Sequence, residues 1–402
     1  MVERALLLFR RWKTMSAYRN HPNVFTDRLA AVAGSSLFVL FFILALVVIG
    51  DLSLAQDRPA RRLTTARQAT AGHTPSSIEF VQSKSDEFTS GSEIQQHANK
   101  LFDYTYTQIH MAMPVRITVW SQDERRARQA GRAAFNRISE LVRVLSKYEP
   151  ESELNRLLDT GGVETRNRAR GVSPDLLAVL SYSKLIYQLT NGAFDPSAGP
   201  IIDLWKKARK AKTLPSQAEL DMALSRVGFD QIKIDGEDGK VRVLRSGVQL
   251  DLGAIAKGYI ADQALEVLGE NGIDSACIEA GGDFVVSQSP PGTSGWGIDV
   301  PALGVMHLEN CGISVSGDTV QFAEIDSIRY SHVVDPRTGK PLTNRIMAVV
   351  IAPRAIQSDA LATSACLLEG GNFEDIVKGM PGVQYWRWRA SAKDSESPAE
   401  SE

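Results

Sequence analysis

The sequence predicts an α+β domain carried behind an apolar segment, and three observations predict it. Strand-like and helix-like patterns mix between about residues 101 and 390 without a strict βαβ rhythm. Alternating β-branched stretches such as Pro114–Trp120 stand beside helical ladders such as Ala134, Ile138, Leu141, Val142 and Leu145. Upstream, Leu29 to Ile49 runs 21 residues without a charge, long enough to span a bilayer as a helix.

In chain order, residues 1–28 carry six basic residues against two acids, which favours a cytoplasmic N-terminus and an exported remainder. Residues 29–50 read as an uncleaved signal anchor, with Ser53-Leu54-Ala55 leaving a cleaved signal open. Residues 51–100 are polar and aperiodic, a linker between membrane and domain. Within 101–390, Ser173-Pro174 is an N-cap with proline at the first helical position, and Asn191-Gly192 ends that helix. A strand at Val241–Leu244 leads through Leu250-Asp251-Leu252 to a helix over about Lys257–Leu268. Short strands follow near Cys277, Trp296–Val300, Ile313–Ser316 and Met347–Ala352, and a last helix begins with Ser358 as its N-cap. The Ser-, Glu- and Pro-rich tail over 391–402 reads as disordered.

Composition removes several functions. Forty-five Lys and Arg balance 47 Asp and Glu, which gives no electrostatic footprint for nucleic acid. Cys277, Cys311 and Cys366 match neither a zinc site nor a redox pair.

Five segments carry more chemistry than packing requires. Ser146–Asn155 (SKYEPESELN) reads alone as a capped turn after a helix. Asn191–Pro200 (NGAFDPSAGP) is a turn cluster whose Phe194-Asp195 could shape a ligand wall. Asp251–Gly258 runs from a strand into a helix with Lys257 at its start; a phosphate cradle and plain close packing both fit. Ala280-Gly281-Gly282-Asp283 allows close backbone approach, or is a simple turn. The fifth combines Ser316-Gly317-Asp318, His332-Val-Val-Asp335-Pro-Arg-Thr-Gly and Ser358-Asp359-Ala-Leu-Ala-Thr363. Asp359 and Thr363 are i and i+4, two oxygen donors on one helical face that suit a hard cation; a helical charge and a back-bonded threonine are the plainer alternative.

Together and in order, SKYEPESELNRL, GAFDPSAGPIIDLW, LDLGAIAKGYIADQAL, IEAGGDFVVS, VSGDTVQF, YSHVVDPRTGKPL and SDALATSACLL resemble the ApbE family of FAD:protein FMN transferases. The resemblance implies one T-fold-related catalytic domain over 101–390 that moves FMN from FAD onto a Thr or Ser of another protein, releasing AMP. It implies Mg²⁺ held by Asp359, Thr363 and a carbonyl, that of Ala254, with His332 as the base. Tyr148, Phe194, Asp195, Lys257, Gly281, Gly282, Asp283, Ser316 and Gly317 would surround FAD, Tyr148 beside the flavin ring. Acceptors would carry an Asp-x-x-Ser/Thr-Gly-Ala-Thr/Ser type sequence, and this chain has none. The alternatives are an FAD pyrophosphatase giving FMN and AMP, or an exported FAD-binding protein without chemistry. The location implied is the bacterial inner membrane, with a single span and the domain outside the cytoplasm. Glu279-Ala280 departs from the family's more neutral pair before Gly-Gly-Asp, placing an extra carboxylate near the metal or in solvent.

Overall fold

The computed structural model describes residues 100–159, 168–318, 322–368 and 370–389. The apolar segment, the basic N-terminus, nearly all of the polar linker and the C-terminal tail lie outside the described residues. Among the described residues, no helix is long and apolar enough to cross a membrane.

The chain opens with β1 (Phe102–His110), β2 (Met113–Ser121), α1 (Glu124–Leu145), α2 (Glu153–Leu158), β3 (Arg170–Gly171) and α3 (Pro174–Leu189). It continues through α4 (Gly199–Ala211), α5 (Gln217–Leu224), β4 (Ile232–Asp235), β5 (Lys240–Val243) and α6 (Ala256–Glu270). Next come β6 (Ala276–Ala280), β7 (Asp283–Val286), β8 (Trp296–Val300), β9 (Gly304–Leu308) and β10 (Cys311–Gly317). The small strands β11 (Phe322–Ile325), β12 (Ile328–Ser331), β13 (Val334–Asp335) and β14 (Lys340–Pro341) precede β15 (Ile346–Ala352). Last are α7 (Ala355–Leu367), α8 (Asn372–Val377) and β16 (Gln384–Arg389).

Seven strands form one sheet in the order β1-β2-β6-β7-β10-β15-β16. Every neighbouring pair is antiparallel, as the α+β reading expects. Both faces are covered, and β15 shows how. Ala348 and Val350 enter the main core under the helices, whereas Val349 and Ile351 enter a second cluster with Trp296, Ile298 and Val300 of the β8–β9 hairpin. A seven-residue apolar run thus fills two faces at a period of two.

On the helical face α1, α6 and α7 pack together over the sheet. Helix α1 starts because the Asp123 side chain accepts the Arg125 N–H at 2.9 Å, and it buries Ala127, Ala130, Ala134, Ile138 and Leu141 on one stripe. Ser173 caps α3 by accepting the Leu176 N–H at 3.2 Å, with Pro174 in the first turn, as expected. A third cluster joins Ile201, Trp205 and Ala208 of α4 to Leu220 and Ala223 of α5 and to Val334, seating the β11–β14 excursion on a helical pair. The three cysteines are free thiols.

Candidate active site

The site is built where α6 and α7 cross. Asp262, in the middle of α6, accepts the backbone N–H groups of Ala355 at 2.7 Å and Ile356 at 3.0 Å, the first two of α7. Asp359 returns the arrangement: its Oδ2 accepts the Gly258 N–H at 3.0 Å in the first turn of α6. Two carboxylates therefore satisfy orphan donors on each other's helix and complement both dipoles. Close approach makes this geometry reachable. A Cβ on Gly258 would run into the Ala355 carbonyl and come within 2.7 Å of the Ile356 nitrogen. On the sheet side, a Cβ on Gly312 would stand 2.6 Å from the Ala355 nitrogen.

This crossing corrects the expected start of the last helix. Helix α7 begins at Ala355, and Ser358 is its buried fourth residue instead of its N-cap. The Ser358 hydroxyl donates to the Ala355 carbonyl at 3.1 Å and bonds Ser314 Oγ of β10 at 2.9 Å. Its first two N–H groups are taken by Asp262, more than 90 residues away in sequence, while locally Gln357 Oε1 accepts the Arg354 N–H at 3.2 Å.

A charged cluster occupies the α6 end of the crossing. Lys257 Nζ pairs with Asp283 Oδ2 and lies 3.5 Å from Asp359 Oδ1. The remaining oxygen of Asp283 accepts the Val315 N–H at 3.2 Å. Both carboxylates are buried, at 7% and 5% side-chain exposure, and Lys257 is 24% exposed. Burial, the largest influence on Asp359, raises its carboxyl above the ordinary range; Lys257 opposes this and Asp283 adds to it. Burial pulls the Lys257 ammonium down, but Asp359 and Asp283 outweigh it and the net shift is upward.

The other predicted residues fall around this cluster or away from it. Gly281 and Gly282, at φ 61° and 86°, form the two-residue turn between β6 and β7, whose Ala280 and Asp283 are register partners. Positive φ at both positions is the hairpin geometry that glycine serves best, and it sets Asp283 at the start of its strand. Ser316 and Gly317 end β10. Thr363 lies one turn beyond Asp359 on α7, half-buried. Ala254 lies in the turn before α6, four residues ahead of the Gly258 that Asp359 caps.

Among the described residues no three His, Cys, Asp or Glu side chains gather as a metal site. Asp359 Oδ1 faces a cation already, the Lys257 ammonium, and a carboxylate, a hydroxyl and a carbonyl, the groups that Asp359, Thr363 and Ala254 carry, are by their chemistry hard-ion donors. The phosphate-cradle reading of Asp251–Gly258 is narrowed, because one first-turn N–H of α6 is given to Asp359.

His332 stands in a bulge. The Ser331 N–H donates to the Leu342 carbonyl at 2.9 Å, and the Leu342 N–H donates to the Val333 carbonyl at 2.9 Å. Both flanking bonds converge on Leu342, which pushes His332 out of the regular ladder, a common device beside reactive sites. The following Asp-Pro-Arg-Thr-Gly segment is a turn closed by the Gly339 N–H on the Asp335 carbonyl at 2.8 Å. It is pinned twice: the Trp205 indole donates to the Gly339 carbonyl at 2.7 Å, and Arg337, paired with Asp335, reaches the Leu367 carbonyl of α7 at 3.1 Å. A cavity of about 390 Å³ opens between this turn and the end of α7, lined in part by Asp335, Arg337, Leu342, Asn344 and Cys366.

Tyr148 projects from the α1–α2 loop at 70% exposure. Asn155 fixes the loop by donating to the Lys147 and Glu149 carbonyls at 3.1 and 2.7 Å. Lys147 and Lys206 lie 5.3 and 5.0 Å from the tyrosine ring centre, and Lys206 also donates to its hydroxyl. Lys147 in turn bridges Asp203 at 2.6 Å and Asp251 at 2.9 Å. Lys147 and Asp262 lie in flagged stretches, SKYEPESELN and LDLGAIAKGYIADQAL, without being singled out there, because their partners are distant in sequence.

Phe194 and Asp195, the expected ligand-wall residues, are held by contacts within the fold. Phe194 is 4% exposed and packs in the main core. Asp195 caps a short turn of helix, accepting the Ser197 N–H at 2.7 Å and its hydroxyl at 2.6 Å. Glu279 pairs with Arg116 across β2 and β6 at 3.0 Å, so the extra carboxylate is answered on the sheet surface.

An antiparallel sheet backed by two mutually capping helices, with a carboxylate–lysine cluster at their crossing, defines a mixed α/β domain organised around one polar site. The model of the ApbE family matches residues 111–386, and the chain belongs to that family. It is 29% identical over 274 residues to the FAD:protein FMN transferase of Treponema pallidum, covering 61% of this chain and 75% of that protein. With a Klebsiella pneumoniae protein of the same description it shares 28% over 268 residues, 65% of this chain and 81% of the relative. The crystal structure of the ApbE protein from Thermotoga maritima superposes with a TM-score of 0.62 at 27% identity, over 71% of this chain and 93% of that one. The flavin transferase ApbE of Vibrio cholerae has the same fold, with a TM-score of 0.61 at 23% identity over 72% and 97%.

Proposed function

We propose that this chain is an FAD:protein FMN transferase, joining the FMN half of FAD to a Ser or Thr hydroxyl of an acceptor protein and releasing AMP. The observation that carries the reading is the α6–α7 crossing, where Asp359 is held by one oxygen while the other faces a cation position. It stands within a chain whose relatives carry that activity in their names.

In this reading Asp359, Thr363 and the Ala254 carbonyl hold Mg²⁺, which as a Lewis acid would neutralise charge on the pyrophosphate oxygens. Asp283 and the Gly281-Gly282 turn shape the adjoining wall, with Ser316 and Gly317 beside them. The largely exposed Tyr148 would stack on the flavin, its loop already pinned so that little further ordering is needed. His332 takes the proton from the acceptor hydroxyl as its oxygen bonds to the FMN phosphorus; the bond from that phosphorus to the AMP oxygen breaks, and AMP leaves. The bulge at His332 and the two anchors of the following turn keep the imidazole in place through that transfer. The acceptor carries an Asp-x-x-Ser/Thr-Gly-Ala-Thr/Ser type segment. The uncharged run Leu29–Ile49 anchors the enzyme in the bacterial inner membrane with the domain outside the cytoplasm.

The test combines the full-length chain in detergent, FAD, Mg²⁺ and a carrier protein bearing the acceptor segment. An FMN-sized mass gain on the carrier, abolished by chelation, is expected. Free FMN with an unmodified carrier would mean that water replaces the acceptor and the chain is a pyrophosphatase.

A further inference from the structure

Lys257 is the least conventional member of the charged cluster. Each carboxylate beside it keeps one oxygen on a backbone donor, Asp283 on the Val315 N–H and Asp359 on the Gly258 N–H. Their other two oxygens both face the same ammonium. Two buried anions so placed repel one another strongly unless a cation lies between them. The ammonium is also the only partly exposed member of the three, so it has a direction in which to leave.

We infer that Lys257 holds, in the metal-free chain, the place that a divalent cation takes on loading, so that metal and lysine exchange at the Asp283–Asp359 pair. The inference rests on the metal-binding part of the proposed function. It assigns Asp283 to the cation position as well, beside Asp359. It also sets an order of events. Three charges give the cluster one net negative charge as it stands, unsuited to a pyrophosphate. A divalent ion makes it net positive and frees the ammonium for a phosphate oxygen, so metal precedes FAD.

The experiment measures Mn²⁺ binding by titration calorimetry in the absence of FAD, for the wild-type chain and for Lys257→Met. Exchange predicts that the variant binds Mn²⁺ roughly tenfold more tightly, since no resident cation has to leave. It further predicts a lower melting temperature in chelator, recovered on adding metal. Equal or weaker binding in a variant that melts cooperatively would overturn the exchange while leaving metal-dependent transfer intact. Absence of Mn²⁺ binding in both proteins would overturn the exchange and the metal site together. A second readout needs no variant. Trace amine labelling of Lys257 in the wild-type chain, followed by peptide mass spectrometry against the exposed Lys240, should rise severalfold with Mn²⁺, and unchanged labelling contradicts the inference.

Discussion

Asp262 and Asp359 are reciprocal caps. Asp262 of α6 takes the first two N–H groups of α7, and Asp359 of α7 takes the N–H of Gly258 in the first turn of α6. Each helix thus supplies a carboxylate to first-turn N–H groups of the other. Asp359 is thereby fixed by the fold before any ligand arrives, with its second oxygen aimed at the position that the Lys257 ammonium holds. A pre-positioned ligand loses less freedom on binding.

Removing Asp262 should loosen that aim. Asp262→Ala leaves two buried N–H groups and the Arg354 side chain without their acceptor, at a cost of about 1–3 kcal/mol. The melting temperature should fall by several degrees, at about 2–4 °C per kcal/mol for a domain of this size. Metal affinity should fall with it, measured by calorimetry. An unchanged melting temperature would show that the cap carries no stability.

Gly258→Ala should be damaging for a steric reason, since the added Cβ meets backbone atoms of Ala355 and Ile356 that have no room to give. Forcing α6 and α7 apart should weaken metal binding at least tenfold and lower stability by about 1–3 kcal/mol. Gly236→Ala, where nothing lies within 4 Å of the new Cβ, is the control and should stay within about 0.5 kcal/mol of wild type. Comparable effects of the two changes, by denaturant unfolding, would contradict the close-crossing account.

The pH dependence follows from Asp359. Burial raises its carboxyl, so in the metal-free chain it takes up a proton at a higher pH than an ordinary aspartate near about 3.9. Protons compete with metal for the ionised form. Metal affinity should therefore decline as pH falls from about 7.5 to about 5.5, where an unshifted aspartate would still be ionised. A flat affinity over that interval would remove Asp359 as the ligand.

Much of this was legible in the sequence where local chemistry decides structure. Ser173-Pro174 starts its helix through its own hydroxyl, and Pro114–Trp120 alternates because one face of β2 is core. The edge strands were not legible. Residues Phe102–His110 and Gln384–Arg389 hold largely exposed or half-buried side chains, so neither shows a clear apolar face, and both are strands through pairing with β2 and β15. The start of α7 was hidden because its first two N–H groups are taken by another helix, while Ser358 looked like a cap and is a buried cross-link to β10. At the site, Asp359, Lys257 and Asp283 stood out as separate weak signals. That they share one cluster is a fact of the crossing alone.

The most direct test of the account separates holding from transferring. Full-length wild type, His332→Ala and Asp359→Ala should be compared with FAD, Mg²⁺ and the carrier protein, scoring Mg²⁺ binding, FAD binding and covalent FMN by intact mass. The account predicts that His332→Ala binds both ligands and slows transfer by about 10²–10⁴-fold, while Asp359→Ala loses Mg²⁺ binding and transfer together. Wild-type transfer rates in His332→Ala would contradict it.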